Sequence, residues 1–187
     1  MKSLGAFYNN SYCYELKKGD FVMFRVYHQE DEEEGFDIVE KNGQFYDIGI
    51  MLHGHCDLFV LELAQKLKDE NIPFCYGIMV NEEGLVHAFL LLEAEEINSD
   101  EDIFIDVRGM TTDEEEFFSE FEDFFSWRHW EDSEYEYLDF MHTEKEFKET
   151  LEELCNESLK EYFNMMDERN NAKKIIEAFP EKYIYNK

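Results

Sequence analysis

Apolar positions change their period several times along the chain, and each change predicts an element. Residues 21–28 are dense in β-branched and aromatic side chains and follow Gly19-Asp20, which predicts a strand. The acidic run from Glu30 to Glu34, closed by Gly35, predicts a turn or loop. Residues 36–40 and 44–48 flank Lys41-Asn42-Gly43, and Asn-Gly between two such runs predicts a β-hairpin. From 58 to 69 the apolar residues at 60, 63, 64 and 67 fall at helical spacing, with Asp57 as a cap or first-turn residue and Pro73 ending the unit. Three strands then follow, over 74–80, 85–92 and 103–107, with turns at 81–84 and 98–102.

The last third reads as helical. Thr112-Asp113-Glu114-Glu115 is a capping box, which starts a helix running to about Ser126 with Phe117, Phe118, Phe121, Phe124 and Phe125 as its apolar stripe. A second box, Thr143 to Glu146, opens a long helix whose stripe is Phe147, Leu151, Leu154, Leu159, Tyr162, Phe163 and Met166. Asn170-Asn171 predicts a break before a short helix ending at Pro180. The expectation is an α+β fold. It has an antiparallel sheet, an N-terminal hairpin region, a helix starting at Cys56 and acidic C-terminal helices. It forms one domain over 1–187, divided into an N-terminal β region (1–50), a helix plus three-stranded core (51–110) and an acidic helical region (111–187).

Composition changes this picture in one respect. Asp plus Glu is 46 against 17 for Lys plus Arg, a formal net charge of −29, far from the roughly 2–8 charges that keep a small domain dispersed. With 44 % apolar and 17 % aromatic residues the chain still has a core to bury, so it is no disordered acidic tail. Such a surface repels nucleic acid and selects basic partners. Cys13, Cys56, Cys75 and Cys155 form no C-x-x-C pair, the first ten residues carry no apolar run, and no apolar stretch approaches a membrane span. Reduced thiols in a cytosolic protein, with no membrane contact, are expected.

Cys56 precedes the 58–69 helix, where unpaired amides favour a thiolate, although Asp57 beside it acts in the opposite sense. His87 is the polar residue of an otherwise apolar strand, and Asp106 has the same status in the next. A thiol, an imidazole and a carboxylate in that order suit nucleophilic attack, proton exchange and fixing of the ring tautomer. Asp106 has a second expected use, pairing with Arg108 or a turn amide. Gly54-His55-Cys56 through Gly109 resembles the papain-like and transglutaminase-like superfamily. The likeness is carried by Cys56, by His87 in Val86-His87-Ala88-Phe89, and by Asp106 in Ile105-Asp106-Val107-Arg108-Gly109. The same pattern is similar to that of small phage-type proteins of unknown role. The resemblance implies Cys56 as nucleophile, His87 as base and Asp106 as orienting acid in acyl transfer or amide hydrolysis. The chain departs from it in having His55 and Asp57, rather than Trp, beside Cys56. A metal reading takes His53, His55, Cys56 and His87 as zinc ligands; otherwise no cofactor is expected.

Residues 93–139 hold nineteen acids against Arg108 and Arg128, a local net charge of −17. Carboxylates three and four apart on a helix lie about 5–6 Å from one another, a spacing that imitates phosphates along a nucleic-acid strand. Glu114, Glu115, Glu116, Glu122, Asp123, Glu131, Asp132 and Glu134 would supply that charge, with Trp127 and Trp130 as contact anchors. In size and composition the chain resembles phage-encoded nucleic-acid mimics, including anti-CRISPR proteins. That resemblance implies an inhibitor that occupies the basic channel of a nucleic-acid-binding protein such as a CRISPR nuclease.

Overall fold

The protein is described here as a computed structural model covering residues 11–18, 21–28, 35–81, 84–115, 117–118, 137–156 and 158–185. Helix and antiparallel sheet are mixed, as expected. The first sheet is a meander of β1 (Ser11–Lys18), β2 (Phe21–His28), β3 (Gly35–Lys41) and β4 (Gln44–Asp47). β1 is a strand that the apolar pattern did not single out. The β3–β4 hairpin closes with Lys41 opposite Gln44, and its two turn residues have φ of 56° (Asn42) and 83° (Gly43). Both lie in the left-handed region that a type I′ turn needs, which is why Asn-Gly marks it.

Ile48 does not continue β4. The Asp47 carboxylate accepts from the amides of Gly49 (3.0 Å) and Ile50 (3.4 Å) and so opens a short helix, α1 (Gly49–His53). After Gly54 and His55, α2 (Cys56–Asp69) begins at Cys56, with Asp57 in its first turn. Leu58, Phe59, Val60, Leu61, Leu63, Ala64 and Leu67 are all buried, so α2 is covered nearly all round and forms the central rod of the core.

The second sheet has the order β8-β7-β6-β5-β9, antiparallel throughout. β5 (Cys75–Asn81), β6 (Gly84–Leu92) and β7 (Ile103–Asp106) are the three expected strands. The β6–β7 connection contains a short helix, α3 (Ala94–Ile97). Two further strands widen the sheet: β8 (Gly109–Thr111), and β9 (Tyr137–Met141), which lies in the region expected to be helical. β9 pairs with β5 from Tyr76↔Met141 to Val80↔Tyr137. Helical backbone follows Asp113, and Phe117 and Phe118 are buried; Phe121, Phe124 and Phe125 lie outside the described residues.

The C-terminal third departs most from expectation. α4 (Glu144–Cys155) has the full capping box at Thr143 and Glu146, but it stops where Asn156 turns left-handed (φ 51°). Tyr162–Asn164 form a 3₁₀ turn, and α5 (Met166–Ala178) runs unbroken through Asn170-Asn171. Pro180 starts α6 (Pro180–Tyr183) rather than ending a helix, because proline's fixed φ and missing N–H suit the first helical position. Among the described residues no helix is long and apolar enough to cross a membrane.

One close approach fixes how the sheet packs. The Phe89 ring lies across Gly77 on the neighbouring strand, so a Cβ at residue 77 would sit 2.4 Å from ring carbons. Phe89 in turn meets Phe104, Phe117, Phe118 and Phe140 at centroid distances of 5.3–6.0 Å. Gly77→Ala must displace that ring from the whole aromatic cluster. It is expected to lower the unfolding free energy by about 1–3 kcal/mol in urea titration.

Candidate functional site

Asp106 ends β7 and is 1 % exposed, with every oxygen occupied. Its Oδ2 accepts from His87 Nε2 (3.0 Å) and from Arg108 Nε (2.8 Å) and Nη2 (2.5 Å). Its Oδ1 accepts from Arg108 Nε (3.1 Å) and the Arg108 amide (2.7 Å). Both expected uses of Asp106 are therefore met at once: it holds His87, and it pairs with Arg108 and a turn amide. Burial works to raise its pKa, but the guanidinium of Arg108 and the bond to His87 hold the carboxyl well below its ordinary range. The guanidinium also lies 4.7 Å from the centroid of the Phe117 ring, which covers the buried network.

His87 is fully buried on β6. Burial pushes its pKa below the usual imidazole range, against the opposing pull of Asp106, so the ring is neutral near pH 7. An ionised Asp106 requires Nε2 to carry the ring proton, and the Leu52 backbone also engages the ring.

Cys56, at the start of α2, is 7 % exposed. The backbone amides of Ala88, next to His87, and of Asp57 favour its thiolate, and Asp106 is near enough to act on it electrostatically. His87 and Asp106 are thus brought together, and Cys56 faces the strand of His87 at Ala88. Of the two opposing influences expected on the thiol, the one that disfavours the thiolate prevails. Burial, joined by the charge of Asp57, pushes the Cys56 pKa up to about 12 and outweighs the backbone amides. The thiol keeps its proton near pH 7.

A second polar cluster surrounds the same helix start, and the sequence pattern missed it by assigning Tyr162 to a helical stripe. The Tyr162 hydroxyl donates to Asp57 Oδ1 at 2.7 Å, and His55 Nδ1 is 3.1 Å from the same phenol oxygen. Burial raises the Asp57 pKa although the Tyr162 bond favours its charged form. Further along α2, buried Glu62 is paired with Arg169 Nε and, at 3.4 Å, with Lys173 Nζ. No local signal announces this pair, because its partners are more than a hundred residues apart.

Two histidines of the zinc reading engage different partners, His55 with Tyr162 and His87 with Asp106, while the His53 side chain lies outside the described residues. Among the described residues no group of three or more His, Cys, Asp or Glu is placed to hold a metal ion. Cys56, Cys75 and Cys155 are free thiols. Of the expected partner-binding residues, Glu114 and Glu115 are exposed at the start of the helical turn after Asp113. Glu116, Glu122, Asp123, Trp127, Trp130, Glu131, Asp132 and Glu134 lie outside the described residues.

Two outcomes are expected. Unfolded His87 takes a proton near pH 6.5, whereas the folded ring resists it. The unfolded state therefore binds more protons just below 6.5, and His87's contribution makes stability rise with pH there. Asp106 acts with the same sign at lower pH: its contribution is present above the unfolded value of 3.8 and is lost as pH falls toward its depressed folded pKa. Asp57, with its raised pKa, has the opposite sign. Compared with His87→Gln, the wild-type chain should lose up to about 1.4 kcal/mol of unfolding free energy per pH unit below 6.5, read by urea titration at pH 7.5 and 5.5. Equal pH slopes in the two proteins would contradict the neutral ring. Iodoacetamide on the folded chain should modify exposed Cys155 well before buried Cys56 and Cys75, as counted by peptide mass spectrometry. Comparison of the chain with known protein families, with characterised proteins and with solved structures finds no match, so the reading of the site stands on its geometry.

Proposed function

We propose that this chain is an acidic binding protein that occupies the basic nucleic-acid-binding site of a partner protein in the cytosol, in the manner of a nuclease inhibitor. The observation that carries this reading is a set of carboxylates gathered at one end of the second sheet. Leu92 pairs with Ile103 and Phe104 with Thr111, so the β6–β7 connection and the chain leaving β8 emerge side by side. The first supplies Glu93, Glu95, Glu96, Asp100, Glu101 and Asp102, the second Asp113, Glu114 and Glu115, and all are exposed. The single cation within 93–115 is Arg108, already committed to Asp106.

The acidic connection is ordered. Asn98 ends α3 in the left-handed conformation (φ 51°), and Asp102 Oδ1 accepts from the Ala94 amide at 2.7 Å. Charges fixed in this way lose little conformational freedom on docking. Their field is felt inside the protein: after burial, Glu93 and Asp102 help to push the Cys75 pKa up to about 11. A guide-loaded CRISPR nuclease is the kind of partner whose basic channel fits such a surface.

A second reading makes Cys56 a nucleophile for acyl transfer, supported by the 3.0 Å bond between His87 and Asp106 and by the Ala88 amide, next to His87, that favours the Cys56 thiolate. His87 would take the thiol proton, the sulfur would attack the acyl carbon, and His87 would return the proton to the leaving group. The high thiol pKa and near-complete burial require the site to open first.

Both readings are tested together by competition with labelled DNA for a guide-loaded CRISPR nuclease and, as a second basic protein, a histone octamer. Wild type should displace DNA at low salt and lose this ability as the Debye length shortens from about 10 Å at 0.1 M to about 3 Å at 1 M. Reversal of Glu95, Glu96, Glu101, Glu114 and Glu115 to Lys should reduce displacement at least tenfold, while Cys56→Ala leaves it unchanged. If Cys56→Ala abolishes the effect and charge reversal spares it, the binding reading is rejected.

A further inference from the structure

We propose that residues 158–165 form a strap that controls access to Cys56, with the Tyr162 hydroxyl as its latch. This deepens the cysteine reading and rests on it only for the chemistry that follows exposure; the strap itself is testable without any catalysis.

The latch closes on the residues that bracket Cys56. Tyr162 donates its single hydroxyl proton to Asp57 Oδ1 (2.7 Å), so the His55 contact at 3.1 Å must be a donation from Nδ1–H to the phenol oxygen. The Gly54 carbonyl lies 3.4 Å from the same hydroxyl. Gly54, His55 and Asp57 are thus gathered around one side chain delivered from more than a hundred residues away.

Beyond the strap the chain is fastened to the core. Arg169 and Lys173 on α5 reach Glu62 on α2. At its far end the buried Tyr183 hydroxyl donates to the Val107 carbonyl at 2.7 Å, one residue past Asp106, and its ring meets Phe59 at 5.4 Å. Ala172, Ile175, Ile176, Phe179 and Tyr183 are buried too, so residues 166–185 stay in place and the strap is the short stretch before them. Asn156, left-handed at φ 51°, separates it from α4, so α4 can stay on the sheet through Phe147 and Leu151 while the strap lifts. Residues 158–165 are exposed or half-buried apart from Phe163, and such a stretch opens at lower free energy than a sheet core does.

The test is residue-resolved iodoacetamide labelling of the full chain. Exposed Cys155 calibrates the reagent, and Cys75, 2 % exposed in β5, reports global unfolding. Tyr162→Phe removes a hydrogen bond to a carboxylate and should speed labelling of Cys56 about tenfold with Cys75 unchanged. An unchanged Cys56 rate in the folded variant overturns the proposal. Should the substitution unfold the chain, wild type decides: in urea below the unfolding transition, Cys56 labelling should rise with a shallower slope than Cys75, because lifting the strap exposes only part of the surface. Equal slopes for the two thiols overturn it. A thiol that is released by Tyr162→Phe yet transfers no acyl group from a p-nitrophenyl ester leaves the strap standing and rejects the cysteine-enzyme reading.

Discussion

A carboxylate stripped of water must be compensated, and Asp106 imposes that requirement on everything around it. It recruits a histidine from one strand and a guanidinium and an amide from the turn after its own. Arg108, once placed, gives Phe117 a flat cation to lie on, and Phe117 then joins the aromatic cluster around Phe89. The register of β6 against β7, the β7–β8 turn and the seating of the chain after β8 are thus linked through one buried charge. Removing a single member would leave the others desolvated without a partner, which is the costliest way to alter such a network.

Features set by local chemistry were legible in the sequence. Asn42-Gly43 announced its turn because both residues tolerate positive φ, and α2 announced itself because its apolar spacing matches its burial. Those set by distant partners were not. Tyr137–Met141 sits among acids and aromatics, and only pairing with β5 makes it a strand. The stripe from Phe147 to Met166 kept helical spacing past the point where Asn156 turns the chain away. In the candidate site, His87 and Asp106 stood out as polar residues in apolar strands. Tyr162 and Glu62 did not, because their roles appear only when the C-terminal segment lies against α2. The thiol shows the limit of positional rules: Cys56 does occupy a helix start, yet dehydration outweighs what the helix amides supply.

The carboxylate-rich end of the sheet and the His87–Asp106 pair lie toward different ends of the same strands. Glu93 and Asp113 emerge where β6 meets the start of β7, and Asp106 ends β7 at the other end. A surface for docking and an interior for chemistry can therefore be altered separately, one by charge and the other by packing.

The placement of the positive side chains has a thermodynamic consequence. Arg108 is spent on Asp106, Arg169 and Lys173 on Glu62, Lys41 on Glu181, and Lys68 and Lys148 on Glu144. Cations used in this way do little for the exposed carboxylates, whose charge must be balanced by small ions gathered from solution. The folded protein is then a compact polyanion with its own ion atmosphere. Any basic surface that settles on it releases those ions, and the entropy of their dispersal favours association much as it does when proteins bind nucleic acid.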